Sequence, residues 1–341
     1  MDTLRLYLGR VASLGVVAVM AATSLLPSCT SVQEPESIQS FADPNYLHHR
    51  RARVAIVGDL QRTGAVETWR ENNDKHRPNI IAGIMADAPD ALVILGDMVW
   101  WGASRADWHY FDDLMSPVRT ANIGVLPVLG NHDYYGNDQA AMANVMQRWP
   151  WFNQDGVVRV IDSVAYVVIN TNFDDIGPVR SRQHRRWFVK TLQELDADSR
   201  IVAVVVCGHH PPFTNSTAVP PDVVLQRYFV PSFVQSAKGT LWLSGHAHTY
   251  ERFHIDGRQF IVAGGGGGPR QAVAAAQAAT YADEYRGGPI RPLHHLMIER
   301  IGTALCVTMR PVPLQSAVHD IADVVVMPAG GTVRQYVELA E

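Results

Sequence analysis

The chain has 341 residues, of which 47% are hydrophobic and 18% charged, a composition that argues against a disordered or fibrous protein. Its 29 basic and 33 acidic residues give a formal net charge of −4, so it lacks the basic excess of a dedicated nucleic-acid-binding protein. Three cysteines are too few for a disulfide scaffold. The length allows one large α/β domain or two smaller ones.

The N-terminus has the pattern of an export signal. Two arginines precede an uncharged apolar stretch, residues 11–26, which is short for a membrane-spanning helix and is followed by polar sequence. The stretch ends in Leu26-Pro27-Ser28-Cys29, which resembles a bacterial lipobox. We therefore predict a lipoprotein-type signal peptide over residues 1–28 and an exported protein, held by lipid on Cys29 at the periplasmic or extracellular face of a membrane. The alternative is ordinary cleavage that leaves Cys29 as a spare thiol.

The remainder of the chain divides into a tether and a domain. Residues 29–50 contain Ser, Gln, Glu and Pro and are predicted to form a flexible tether. The globular domain is predicted over residues 51–341. Cys207 and Cys306 lie in apolar, strand-like runs of this domain, which favours buried free thiols.

From Arg51 onward, short apolar runs rich in β-branched residues alternate with longer amphipathic segments. Such runs predict strands covered on both faces, and the amphipathic spacing predicts helices between them. Strands are predicted at 54–57, 91–95, 124–129, 164–169, 201–206 and 240–243, then hairpins at 253–262 and 295–309. Helices are predicted at 66–85, with a break at Pro78, and at 105–117, 138–149, 182–195 and 222–236. This order predicts a layered α/β domain whose last strands extend a second sheet.

Five of the predicted strands end in glycine followed by Asp, Asn or His. The pairs are Gly58-Asp59, Gly96-Asp97, Gly130-Asn131, Gly208-His209 and Gly245-His246, and His248 follows the last. One such pair is more often an ordinary turn, but five at strand ends indicate a site, because ligands bind outside the carboxyl ends of strands in open α/β sheets. Carboxylates, a carboxamide and imidazoles without soft sulfur suit Mn, Fe or Zn. Two such ions would make the site electrophilic toward a phosphoester.

In this order and context the motifs resemble those of the calcineurin-like metallophosphoesterase superfamily. Its pattern of Asp-x-His, Gly-Asp, Gly-Asn-His-Asp/Glu, Gly-His and Gly-His-x-His occurs between residues 58 and 248, except that Gln61 replaces the first histidine. The block 245–252 and the pair Gln183 and Trp187 further resemble the purple acid phosphatase-like branch. The resemblance implies an α/β fold, a four-layer α/β/β/α sandwich of two mixed β-sheets with the metal site at the C-terminal ends of strands.

The resemblance also implies the ligands of two divalent or mixed-valence metal ions, Fe, Mn or Zn. These residues are Asp59, Gln61, Asp97, Asn131, His209, His246 and His248. Asp59 and His248 would hold the first ion, and His209 and His246 the second. Asp97 would bridge the two ions, and Gln61 would be the weakest ligand.

The same resemblance also implies catalytic roles for three neighbouring residues. Asn131 would bind the second ion and help to position phosphate. His132 would contact the phosphoryl oxygens or protonate the leaving group, and Asp133 would orient the His132 imidazole.

The substrate pocket is less well defined by the sequence. Trp100, Tyr134 and Tyr135 follow the second and third motifs and could either wall the pocket or pack inside the domain. Trp100 stands where the purple branch has a metal-binding tyrosine, so no tyrosinate–iron centre is expected. His210, beside the predicted ligand His209, could be structural or could contact substrate.

Together these features predict a binuclear phosphoesterase in which metal-bound hydroxide attacks a small-molecule or nucleotide phosphoester, with acid-phosphatase-like action on monoesters. Two alternatives remain open. One is a phosphodiesterase or nucleotide hydrolase of the same fold, and the other is a non-catalytic metal-binding lipoprotein.

Overall fold

The computed structural model describes residues 38–44, 51–64, 69–312 and 322–329, and the backbone of 334–335. The predicted signal peptide, Cys29 and most of the predicted tether lie outside these ranges. Within them, no helix has the length and apolar character needed to span a membrane.

Strands and helices alternate through most of the described chain. The strands are β1 (Arg53–Val57), β2 (Ala91–Ile94), β3 (Gly124–Pro127), β4 (Val157–Ile161), β5 (Val164–Val168), β6 (Ala203–Cys207), β7 (Gly239–Ser244), β8 (Tyr250–Ile255), β9 (Arg258–Ala263), β10 (His294–Ile301), β11 (Ala304–Pro311), β12 (Asp323–Pro328) and β13 (Arg334–Gln335). The helices are α1 (Arg77–Ala86), α2 (Arg105–Leu114), α3 (Ser116–Thr120), α4 (Asp138–Arg148), α5 (Phe173–Ala197), α6 (Val223–Tyr228) and α7 (Val230–Gln235), and His132–Tyr134 form one 3₁₀ turn.

The described strands form two mixed sheets. The first has seven strands in the order β13-β12-β11-β10-β1-β2-β3, in which β1, β2 and β3 are parallel and the others antiparallel. The second has six strands in the order β4-β5-β6-β7-β9-β8, parallel from β5 to β9 with an antiparallel strand at each edge. The carboxyl ends of the parallel strands carry the predicted site residues in both sheets.

Alternate side chains of β6 face different cores, which shows how the sheets and helices are layered. Ala203, Val205 and Cys207 belong to the core that joins the two sheets. Val204 and Val206 belong to the core beneath α5, α6 and α7. Every residue of β6 is buried, as expected for a strand covered on both faces. The predicted four-layer α/β/β/α sandwich is confirmed.

Several predictions about the elements are wrong in detail. Pro78 does not break a helix but lies at the start of α1, where its missing N–H leaves no helical hydrogen bond unmade. The segment predicted as one helix at 222–236 is two short helices, with Pro231 in the first turn of the second. The predicted extension of the second sheet is confirmed for β8 and β9, but β10 to β12 extend the first sheet, in which β10 pairs antiparallel with β1.

Residues 38–44, predicted as part of the tether, pack against the domain. Phe41 is 3% exposed, and its ring stacks on Trp149 at a centroid distance of 4.8 Å. The Phe41 N–H donates to the Arg148 carbonyl at 2.8 Å, and Arg159 makes two hydrogen bonds to Asp43 at 2.5 and 2.9 Å. The tether prediction is therefore wrong for these seven residues. Cys207 is a buried free thiol as predicted, whereas Cys306 is only partly buried.

A buried carboxyl group in β8 ties a long loop to the second sheet. Glu251 is fully buried and accepts hydrogen bonds from the Thr214 hydroxyl and, at 2.8 Å, from the Asn215 N–H. The Asn215 side chain in turn donates to the Tyr281 carbonyl at 2.9 Å. Burial raises the pKa of Glu251 to about 7 despite these hydrogen bonds.

We expect the wild-type protein to lose stability as pH rises through the pKa of Glu251, and we expect Glu251→Gln not to show this loss. The pKa of Glu251 is about 7 in the folded protein against an ordinary value of 4.5, so the folded state binds this proton more tightly than the unfolded state does. The stabilisation that the bound proton provides is lost as pH rises from 4.5 to 7. The free energy of unfolding of the variant, relative to wild type, should rise by up to about 3 kcal/mol between pH 5 and pH 8. Denaturant unfolding at both pH values measures it. Glu194→Gln, on an exposed face of α5, is the control, and parallel pH profiles for all three proteins would contradict the assignment.

Candidate functional site

The predicted strand-end residues meet at one edge of the two sheets. Asp59 and Asp97 follow neighbouring strands of the first sheet, and the Asp59 N–H donates to the Gly96 carbonyl at 3.1 Å. The loop after β7 in the second sheet joins them, because the His246 N–H lies 3.0 Å from Asp59 Oδ1. The site is thus built from both sheets, each supplying loops from the carboxyl ends of parallel strands.

The backbone at these turns is unusually tight. Asp59, Asp97 and His246 have φ of 64°, 51° and 64°, in the left-handed region that non-glycine residues seldom occupy. Such conformations persist where surrounding structure holds them, and they concentrate at functional sites. A Cβ at Gly130 would lie 2.2 Å from Asp97 Oδ1. Glycine is therefore required there for β3 to approach the Asp97 carboxylate.

A first cluster of potential metal ligands contains Asp59, Asp97 and His248, whose ligand atoms lie within 4.8 Å of one another. The distance from Asp59 Oδ1 to His248 Nε2 is 3.5 Å. Gln61 points its amide into this cluster, with Nε2 at 3.1 Å from His248 Nε2 and 3.2 Å from Asp97 Oδ2. Gln61 Oε1 is buried with no hydrogen-bond partner among the described residues. A half-turn of this amide would direct an oxygen at the cluster, so Gln61 can serve as a ligand.

A second cluster contains His209, His210 and His246. Asn131 Oδ1 lies 3.1 Å from His209 Nε2, and Asp97 Oδ1 lies 3.4 Å from the same nitrogen. Asp97 therefore touches both clusters, in the position expected of a bridging carboxylate. His210, whose role the sequence left open, lies with its ring centroid 4.4 Å from that of His246 and so belongs to this cluster.

Hydrogen bonds at Nδ1 fix the orientation of the imidazoles. His209 Nδ1 donates to the Leu95 carbonyl and His248 Nδ1 to the Pro269 carbonyl, both at 2.8 Å. His210 Nδ1 lies 2.8 Å from Thr171 Oγ1. A neutral imidazole that donates from Nδ1 keeps a lone pair on Nε2, which is the arrangement found in metal-binding histidines.

The electrostatics of the centre also fit a cation. Burial opposes ionisation of Asp97, but the neighbouring His209 and His132 hold the pKa of this carboxyl well below its usual range. Burial disfavours charge on His209 too, yet the Asp97 carboxylate raises the pKa of His209 to about 9. Burial and the charge of His209 lower the pKa of His210 to about 3. A proton on His209 thus balances Asp97, and a metal ion bound there would replace it.

His132 lies beside Asp97 but is not oriented by Asp133, and that part of the prediction is wrong. His132 Nδ1 donates to the Trp100 carbonyl at 2.8 Å, and its Nε2 lies 4.0 Å from Asp97 Oδ2. Asp133 instead accepts hydrogen bonds from the N–H groups of Met98 at 3.0 Å and Gly130 at 2.9 Å. Burial and the charge of Asp97 raise the pKa of Asp133 to about 8. Asp133 therefore joins the loops after β2 and β3.

The aromatic residues predicted for the pocket divide into two groups. Tyr134 is buried, and its hydroxyl accepts a hydrogen bond from Asn170 Nδ2 at 2.8 Å, so its assignment to the pocket is wrong. Trp100 and Tyr135 flank His132, with ring centroids 4.6 and 4.4 Å from its own. Tyr134 ends the 3₁₀ turn and its side chain enters the core, whereas Tyr135, the extended residue that follows the turn, remains at the site.

Residues 52–250 match the sequence profile of the calcineurin-like phosphoesterases. The chain belongs to this family. Membership makes it a metallophosphoesterase, a hydrolase of phosphoester bonds, and implies divalent metal ions, for which the two clusters supply ligands. No curated protein sequence matches this phosphoesterase significantly.

Solved structures share the fold of this phosphoesterase. The purple acid phosphatase PPD1 from yellow lupin superposes with a TM-score of 0.63 at 16% identity, over 82% of this chain and 54% of the lupin chain. GAP50, the anchor in the inner membrane complex of Plasmodium, gives 0.58 at 13% identity over 83% and 90% of the two chains. A dimetal phosphatase from Danio rerio gives 0.51 at 12% identity over 80% and 99%. At these identities the likeness concerns the fold alone.

We expect Gln61→Leu to weaken binding of the metal ion at the first cluster by about tenfold, because it removes an amide from the centre, whereas Gln61→Glu strengthens it. Titration of each variant against a competing chelator measures its metal affinity. Gln193→Leu, on the exposed side of α5, controls for the change in side chain. Wild-type affinity in Gln61→Leu would show that Gln61 is not a ligand.

Proposed function

We propose that this phosphoesterase hydrolyses phosphate monoesters at a binuclear metal centre. The observation that carries this proposal is the position of Asp97, which belongs to the cluster with Asp59 and His248 and also contacts His209 of the second cluster. A carboxylate shared by two ligand sets can hold two cations close together.

The ligands are assigned by cluster. Asp59 and His248, with Gln61, would hold one ion, and His209, His246 and Asn131 the other, with Asp97 between them. When bound, two divalent ions act as Lewis acids on the phosphoryl oxygens and lower the pKa of coordinated water so that a nucleophile is available at neutral pH. Two divalent ions carry more positive charge than Asp59 and Asp97 neutralise. The remaining positive charge favours the dianion of a monoester over a singly charged diester.

His132 is the residue that we assign to the leaving group. Its Nδ1 donates to the Trp100 carbonyl, which fixes the ring, and its Nε2 faces the site 4.0 Å from Asp97 Oδ2. When the ring is protonated at both nitrogens, Nε2 can donate a proton to the departing ester oxygen or a hydrogen bond to the phosphoryl group.

The activity is tested with metal-loaded protein, phenyl phosphate and diphenyl phosphate. We expect turnover of the monoester, and we expect His132→Ala to lower kcat by about 100-fold or more without loss of metal, since general acid catalysis contributes factors of this order. Asp97→Asn should lose both metal and activity. His254→Ala, at an exposed position of β8, is the control for removal of a histidine.

Three results would contradict this proposal. Preferential turnover of the diester would favour the phosphodiesterase alternative. Absence of turnover with two ions bound would favour a non-catalytic metal-binding protein. Wild-type kcat in His132→Ala would remove His132 from the mechanism.

We also propose that the protein is exported and anchored by lipid on Cys29. The support is the sequence pattern alone, in which basic and apolar residues precede Leu26-Pro27-Ser28-Cys29. We expect the wild-type protein to be in the membrane fraction and Cys29→Ser to be released from it, since stable anchoring depends on acyl chains. Cys306→Ser is the matched control. Equal partition of all three proteins into the soluble fraction would contradict the anchor.

A further inference from the structure

Two loops beside the candidate metal centre are joined by backbone hydrogen bonds. One follows β2 and the other follows β3, and the N–H groups of Gly102 and Ala103 donate to the carbonyls of His132 and Tyr135 at 2.9 and 3.0 Å. A Cβ at Gly102 would lie 2.0 Å from the Asp133 carbonyl oxygen, so only glycine allows this approach. The loops therefore form one rigid support, which carries Trp100 and Tyr135 beside His132 and Trp101 beside Tyr135.

The Tyr135 hydroxyl accepts a hydrogen bond from Asn131 Nδ2 at 3.0 Å. The other end of the same amide, Asn131 Oδ1, faces His209 Nε2 at 3.1 Å in the second cluster. An amide has one acceptor end and one donor end, and a metal ion binds the oxygen. With Tyr135 bound to the donor end, Asn131 is held so that it presents its oxygen to the metal site.

The ring of Tyr135 has a second relation to the site. Its centroid lies 4.4 Å from that of His132, the residue assigned to the leaving group. Tyr135 is 37% exposed, and the neighbouring Trp101, at 5.7 Å in an edge-to-face arrangement, is 44% exposed. Tyr135, in ring contact with His132, and Trp101, in ring contact with Tyr135, thus form a solvent-exposed aromatic surface beside the residue assigned to the leaving group.

We propose that Tyr135 is a positioning residue for the metal ligand Asn131 and that Tyr135 and Trp101 together bind a planar aromatic group on the substrate's leaving side. This proposal rests on the proposed phosphoesterase function. An aromatic group carried by the ester oxygen would stack on Tyr135 while the phosphoryl group occupies the metal site. The preferred substrates are then aromatic phosphoesters, in which the ring is an aryl group on the ester oxygen or a nucleobase beyond a sugar.

The two roles are separated by two substitutions at the same position. Tyr135→Phe removes the hydroxyl and keeps the ring, so the metal affinity of the second cluster should fall by about tenfold while aromatic preference is retained. Tyr135→Leu removes both, so metal affinity and aromatic preference should fall together. Tyr228→Leu, on the outer helix α6, is the control for loss of an aromatic ring.

Aromatic preference is measured by binding, which does not depend on turnover. Calorimetry of the metal-loaded proteins gives the ratio of the dissociation constant of methylphosphonate to that of phenylphosphonate, which is high when the aromatic ligand is preferred. We expect Tyr135→Leu and Trp101→Leu each to reduce this ratio about fivefold, the size expected for loss of one aromatic contact. Turnover of phenyl phosphate, glycerol phosphate and adenosine monophosphate then distinguishes a directly attached aryl group from a nucleobase.

An unchanged phosphonate ratio in both leucine variants would overturn the aromatic surface. Unchanged metal affinity in Tyr135→Phe would overturn the positioning role. Failure of the proposed function gives a different result, because wild-type protein would then bind metal and phosphonates but hydrolyse none of the three esters.

Discussion

The carboxylate of Asp97 is the charge on which the organisation of this protein depends. It is 1% exposed, lies within 3.5 Å of His209 and accepts a hydrogen bond from the His132 backbone at 2.9 Å. Burying an anion costs several kcal/mol unless cations and hydrogen bonds compensate it. His209, from the second sheet, supplies that compensation when its imidazole is protonated, and a metal ion bound there would replace the proton. Closure of the two sheets over a common core brings these groups together.

The loops after β2 and β3 link the metal side of the centre to its leaving-group side. Asp133 fastens one loop to the other, and Tyr135 contacts both Asn131 and His132. Under the proposed function, a change of ligand geometry at Asn131 would therefore reach the surface assigned to the leaving group. Rigid support of this kind holds reacting groups in register without reorganisation during the reaction.

Local patterns in the sequence were sufficient to predict the layered fold and to single out the strand-end residues that the structure brings together. A continuous apolar run followed by glycine and a polar residue marks both a buried strand and the end that faces the site, and Asp59, Asp97 and His209 were found this way. The hydrogen bond that joins Asp133 to the other loop was not predictable, since the N–H group of Met98 is 35 residues away in sequence. Nor was the burial of Tyr134 or of Phe41, because their neighbours come from other elements of the chain. The orientations of the Asn131 amide and of the Tyr135 ring were not predictable either, because they depend on contacts across the site.

The groups that orient His209, His248 and His132 are all main-chain carbonyls, those of Leu95, Pro269 and Trp100. Any amino acid provides such a carbonyl, so the side chains at these three positions can change over evolution without turning the imidazoles. His210 differs, because its partner is the hydroxyl of Thr171, which only serine or threonine can reproduce in kind. A centre oriented by backbone can thus persist while the surrounding sequence diverges, provided that the strands keep their register.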